Sequence, residues 1–233
     1  MIWIRPLLLF LAAIAFAASP LVFPGFTGFA PDAFPVPQVD PPMQPAGYAF
    51  AIWGLIYLWL IAGTGFGLFR RSDDYDWMDH RDPLLISLAV GIFWLPVAQV
   101  SPIAATAMIW VMLVTALLAL FRAGDMDRWW QIAPIAIYAG WLTAASCVSV
   151  GLLLAGYGLL PETPAALLAL ALTLAISVIA QYRLHRAPLY GITVIWALIA
   201  VIVANASPLN FAVAGLAAAG ISAILALRGT DTE

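Results

Sequence analysis

"QPAGYAFAIWGLIYL", residues 44–58, stands at the mouth of a long apolar run and carries Pro45, Gly47, Tyr48, Phe50, Trp53 and Tyr57. From Gly47 to about residue 69 the chain has no Asp, Glu, His, Lys or Arg. An apolar stretch of this length spans a bilayer core as a helix. Phe50, Trp53, Tyr57 and Thr64 follow one another at steps of 3, 4 and 7, so they share one face of that helix. Gly63 and Gly67 form a GxxxG pair on which a second helix can approach closely. An aromatic stripe inside a lipid-spanning helix is the feature the rest of the sequence has to explain.

The 233 residues are 64% hydrophobic and 9% charged, with a mean hydropathy of +1.01. That composition defines an all-α integral membrane protein. Candidate spans fall at about 6–23, 47–69, 84–100, 103–121, 132–154, 164–182, 188–204 and 209–227, which predicts about eight transmembrane helices. Two connections are longer than the rest: the Pro-rich segment 24–46 and the acidic "RRSDDYDWMDHRD" at 70–82. Nine arginines at scattered positions form no basic patch, so nucleic acid is not an expected partner. Cys147 is the only cysteine and lies inside an apolar run.

Arginine sets the expected orientation. With the N-terminus in the cytoplasm, Arg5, Arg70, Arg71, Arg81, Arg122, Arg128, Arg183, Arg186 and Arg228 all fall on the inner side, and an even number of spans returns the C-terminus there. Segment 24–46 then becomes an outer loop, and a bacterial inner membrane is the expected location. Ala15-Phe16-Ala17 after a basic start leaves a cleaved signal peptide as the alternative to a retained first helix. "IWGLI" at 52–56 and "IWALI" at 195–199 lie on helices of opposite direction, but five residues from so biased an alphabet are read as chance.

No Asp, Glu, His, Lys or Arg falls inside an expected hydrocarbon span, which argues against a proton-coupled carrier and against acid/base or metal chemistry within the bilayer. His80 among Asp76, Asp79 and Asp82 reads as part of a solvated loop rather than as a metal site. Trp3, Trp77, Trp129 and Trp130 are expected at the cytoplasmic border as interface anchors. Trp53, Trp59, Trp94, Trp110, Trp141 and Trp196 lie deeper, where an indole N–H needs a partner. On the fifth helix Tyr138, Trp141, Ala145 and Ser149 share a face, so two helices present mixed aromatic and polar stripes. For any single stripe helix packing is the simpler account; several together predict an aromatic cavity.

These features resemble the TspO/MBR family, the tryptophan-rich sensory proteins related to the translocator protein. The resemblance rests on "PPMQPAGYAFAIWGLIY" after the long loop, on "FWLPV" at 93–97, and on "YAGWLTAASCVS" at 138–149. It covers roughly residues 1–155 and implies a TspO-like five-helix bundle there, with 156–233 adding three further helices and a short tail. The chain departs from the family pattern at Tyr48, one residue nearer Trp53 than usual, and at Gly91 and Ser149, where asparagines are common.

The resemblance implies a sensory or regulatory protein that binds a flat apolar ligand, a tetrapyrrole such as a porphyrin or a sterol-like lipid, beneath the outer loop. The residues expected to bind it are Pro45, Tyr48, Phe50, Trp53, Tyr57, Trp94, Trp110, Tyr138, Trp141 and Ser149. No catalytic residue, required cofactor or metal is expected; the expected partners are membrane lipid and the ligand, with homodimerisation left open. A non-energised facilitator of a small apolar or zwitterionic metabolite is the alternative. It would require Gln99, Gln181, Asn205 and Asn210 to converge. An enzyme acting on a bound tetrapyrrole is a third reading that no acid/base pair supports.

Overall fold

The computed structural model describes residues 3–26 and 28–229, with Arg228 and Gly229 described in their backbone only. Eight helices follow in order: α1 Ile4–Val22, α2 Ile52–Arg70, α3 Arg81–Ala98, α4 Pro102–Arg122, α5 Ile132–Gly156, α6 Glu162–Arg183, α7 Pro188–Ala204 and α8 Phe211–Gly229. Among the described residues there is no named strand. A 3-10 turn, Gly47–Ala51, leads into α2, and the stretch that opened the reading therefore enters the helix through one tight turn. Ser101 caps α4 by accepting from Ala104 N–H, and Pro102 occupies the first turn, where its missing N–H costs nothing.

Helices α1 to α6 are long and apolar enough to cross a membrane; Pro188–Ala204 and Phe211–Leu227 are shorter apolar helices. The eight expected spans thus exist as eight helices, six of which meet the length on their own. The 17 residues of α7 sit at the lower end of what crosses, since at ~1.5 Å per residue they reach about 25 Å of a core ~30 Å thick.

The helices form two rings that share α5. In the first, α2, α1, α3, α4 and α5 pack in that order and α5 closes onto α2. In the second, α5, α6, α8 and α7 pack in order and α7 closes onto α5. An apolar helix can face lipid or protein, and α5 is enclosed by protein: Ile132 through Ala144 is buried without a break. Close approach is what its glycines permit. A Cβ on Gly140 would lie 2.6 Å from the Tyr190 carbonyl oxygen, so α7 can come this near only to a glycine. Across the other ring, a Cβ on Gly63 of α2 would lie 2.3 Å from the Trp130 carbonyl oxygen, which is the use made of the GxxxG pair.

Buried hydroxyls stitch the rings. Tyr138 and Ser87 share a hydrogen bond of 2.9 Å, as do Thr143 and Tyr190. In low dielectric such pairs are worth keeping because an unpaired hydroxyl costs more than the bond gains.

The arginine-bearing end corrects the expectation of a solvated loop. Trp77, His80 and Arg81 are all buried. Arg81 donates to the carbonyls of Arg71 and Ser72, and Gln131 Nε2 lies 2.9 Å from both the Asp76 carbonyl and His80 Nδ1. An amide nitrogen only donates, so Nδ1 accepts and the His80 proton sits on Nε2. Trp77 is a packed core residue rather than an exposed anchor: its indole donates to Asp127 Oδ2 at 2.9 Å, and Arg71 Nε donates to the same oxygen at 2.8 Å. That hydrogen bond and the charge of Asp127 raise the Arg71 pKa above its ordinary value. Among the described residues no three His, Cys, Asp or Glu side chains gather as a metal site.

Candidate functional site: a two-lobed cavity beneath the loop 24–46

The loop is held down along its length. Val36 N–H donates to the Gly156 carbonyl and Ala46 N–H to the Ala200 carbonyl. Asn205 Nδ2 donates to the Pro42 carbonyl at 2.8 Å, and Gln99 Nε2 to the Pro24 carbonyl. Phe34 and Met43 are buried beneath it. A Cβ on Gly156 would lie 2.4 Å from the Phe34 ring, so the end of α5 makes room for that anchor. Proline lowers the entropic cost of ordering such a segment, and these bonds complete it.

Under the loop lies a cavity with two adjoining lobes. One, of about 250 Å³, is bounded by Phe16, Phe50, Trp53, Tyr57, Trp94 and Trp141. The other, of about 80 Å³, runs between α5, α6 and α7 and includes Pro45, Val148, Ser149, Leu170 and Val201. Phe26, Phe50, Trp94, Ile109, Trp141 and Ala145 border both. No Asp, Glu, His, Lys or Arg borders either lobe among the described residues.

The aromatic wall is ordered by ring contacts. Trp53 and Tyr57 stack at 5.3 Å with 20° between planes, while Phe50 meets Trp141 edge-on at 5.6 Å. Phe16 from α1 meets Trp53, Tyr57 and Tyr138 edge-on and closes the wall between them. Residues of α1 therefore border the site. Gly91 admits this arrangement, because a Cβ there would stand 2.6 Å from the Phe16 ring. At Gly91 this chain thus makes room for an aromatic ring from α1. Ser149 donates to the Ser146 carbonyl at 2.7 Å and offers the cavity no free donor.

The indole N–H groups differ in their pairing, and Trp94 shows that a cavity tryptophan can be paired. Trp94 donates to the Ala105 carbonyl, Trp196 to Ala49 and Trp59 to Trp129. Trp141 N–H is buried with no hydrogen-bond partner.

Of the residues expected in the site, Pro45, Phe50, Trp53, Tyr57, Trp94, Trp141 and Ser149 border the cavity. Three do not. Tyr48 is half exposed and packs edge-on against Trp196 at 5.5 Å. Tyr138 is fully buried behind the wall, where it is bonded to Ser87. Trp110 lies on α4 against the core and borders neither lobe. Helical spacing placed Tyr138 on the correct face, but Phe16 stands between its ring and the void. Sequence reasoning missed Phe16, Phe26 and Phe29, and also the walls supplied by α6 and α7. The phenylalanines lie in segments whose register against α2 only the folded chain defines.

The fold and cavity define an all-helical, multi-pass membrane protein with an aromatic cavity under a Pro-rich loop. The chain belongs to the TSPO-like protein family, whose model matches residues 36–228. The matched range begins after α1 and ends within α8. Comparison with curated proteins and with solved structures returned no match.

Proposed function

We propose that this protein is a membrane-embedded sensory or regulatory protein that binds a flat, neutral, apolar ligand, of the tetrapyrrole or sterol-like class, in the cavity under loop 24–46. The observation that carries the reading is a cavity walled by stacked and edge-on aromatic rings and free of charged side chains. Pockets of this make-up, apolar with few polar groups, are the usual form of small-molecule sites. Dispersal of the amides supports binding over transport. Asn205 holds the loop, Asn210 donates to Thr163, Gln99 donates to Pro24, and Gln181 accepts from Gly191 N–H, so each serves local structure.

A porphyrin titrated into the purified protein should quench tryptophan fluorescence saturably. Trp53→Phe or Trp141→Phe should weaken binding by about 3- to 30-fold, since a stacked aromatic pair contributes ~0.5–1.5 kcal/mol beyond burial and ~1.4 kcal/mol is a factor of ten. Trp59 stacks on Trp129 at 6.2 Å away from the cavity, so Trp59→Phe should leave affinity unchanged. Equal loss in all three variants, or none in any, would sink the assignment.

In the same reading the arginine-bearing end faces the cytoplasm and loop 24–46 faces outward. Reporters inserted at 70–82 should read inside and at 30–40 outside; the reverse result would invert the topology.

A further inference from the structure

The two lobes differ in chemistry, and the difference specifies the shape of what binds. The larger lobe is aromatic: Phe16, Trp53 and Tyr57 border it alone, and Trp53 and Tyr57 present near-parallel faces. Beyond the residues it shares with the first, the smaller lobe has Phe29, Gln44 and Pro45 where it meets the loop and aliphatic side chains between the helices. Ala144, Val148 and Leu152 of α5 form one side, and Leu170 of α6 with Leu198 and Val201 of α7 form the other. Its two hydroxyls do not make it polar. Ser149 donates to the Ser146 carbonyl, and Thr173 donates to the Ala169 carbonyl at 2.9 Å, so both protons are committed within their own helices. Ile109 and Ala145 border both lobes, so the second lies directly against the first. At about 80 Å³ against about 250 Å³ this arm is the smaller of the two, and its largely apolar lining between the helices suits hydrocarbon.

We infer that the ligand is a neutral, flat ring system bearing an aliphatic or isoprenoid chain, with the ring in the aromatic lobe and the chain threaded between α5, α6 and α7. This rests on the cavity reading proposed above and deepens it. The second helical ring thereby acquires a role: its helices α6 and α7 build the wall that recognises the chain. Burying methylenes there is favourable at roughly 0.8 kcal/mol each when fully withdrawn from water. A ligand already dissolved in lipid gains less, and selectivity then comes from whether the arm accepts the chain at all.

The test compares two probes that differ only in the chain: 2-methyl-1,4-naphthoquinone, and the same ring carrying a ten-carbon isoprenoid chain. Both quench tryptophan emission and are titrated into the full-length protein in one detergent. Val148→Phe and Ala197→Leu narrow the arm from opposite sides, and both positions border the arm without bordering the aromatic lobe. The chain should tighten binding to the wild type by about tenfold or more. In either variant that advantage should fall below about threefold while the chainless quinone keeps its affinity. Chainless binding also reports that each variant is folded.

A chain advantage that persists in both variants would show that the chain lies in detergent or under the loop, and would overturn the inference while leaving the cavity reading standing. An equal loss of both probes would overturn it as well, because the arm would then serve only to support the aromatic lobe. Failure of the chainless quinone and of porphyrin to bind the wild type would remove the cavity reading itself.

Discussion

The two ends of α5 are built on opposite terms. Toward Ile132 the helix is packed against a loop whose Trp77, His80 and Arg81 are buried and hydrogen-bonded. Toward Gly156 it borders a void, and Trp141 N–H beside that void has no partner. Both ends are rich in tryptophan, so abundance of the residue does not distinguish them. What differs is the fate of one indole N–H, that of Trp141. At the arginine end Trp77 and Trp59 reach Asp127 and the Trp129 carbonyl, and their rings are locked in place. Beside the cavity Trp94 N–H is paired with the Ala105 carbonyl, but the Trp141 donor is left over. Each region keeps a buried polar atom without a partner, Gln131 Oε1 in one and Trp141 N–H in the other, but the second borders the larger void.

Trp-to-Phe substitution probes this contrast directly, since it removes the N–H and some area but keeps a ring. The largest effect is expected for Trp77→Phe. Its N–H donates to an ionised carboxylate that also holds Arg71, and hydrogen bonds to charged groups contribute ~1.5–3 kcal/mol. Unfolding in detergent micelles should show a loss of about that size. The second expectation is that porphyrin affinity stays unchanged, because the residue is remote from the cavity lining. A loss under ~0.5 kcal/mol would mean that the Trp77–Asp127 bond is exchanged freely for water.

How much of this contrast could be read in the sequence follows from the range of each signal. Span positions were legible because apolar runs and helix breakers act locally: α7 was expected at 188–204 and lies at Pro188–Ala204. The faces of α2 and α5 were legible from helical spacing, which put Phe50, Trp53, Tyr57 and Trp141 together at one cavity. Depth along a shared face was not, and so Tyr138 was placed in the wall that Phe16 covers. The loop at 70–82 was misread in part for a related reason: Asp73, Tyr75 and Asp79 are exposed, but Trp77, His80 and Arg81 are buried. Its acidic composition is that of a solvated segment, yet Asp76, Asp74 and Asp127 are consumed by hydrogen bonds to Met126 N–H, Asp76 N–H, Trp77 and Arg71. Those partners lie up to 56 residues apart, beyond any local pattern. The aliphatic arm was invisible because Leu170, Leu198 and Val201 look like any other lipid-facing residue until α6 and α7 fold against α5.

The smallest expected effect is the most informative one. Trp141 is buried to the same degree as Trp77, each 2% exposed, so burial alone predicts that replacing either with phenylalanine costs the same. Hydrogen bonding predicts otherwise. Removing the Trp141 N–H breaks no bond within the protein and relieves a buried donor that has no acceptor, a term worth ~1–3 kcal/mol in the opposite direction to the lost packing. The lost area of the smaller ring opposes it, at roughly 25 cal/mol per Å². Near cancellation is expected, with unfolding shifted by less than about 1 kcal/mol. The measurement is the same micellar unfolding experiment, run without added ligand on both variants. If Trp141→Phe costs as much as Trp77→Phe, then Trp141 holds the fold as Trp77 does, and the difference between the two ends of α5 is one of shape alone. If it costs little while ligand affinity falls, stability and binding separate at a single residue: the unpaired donor is a cost the apo fold carries at the site where its ligand is bound.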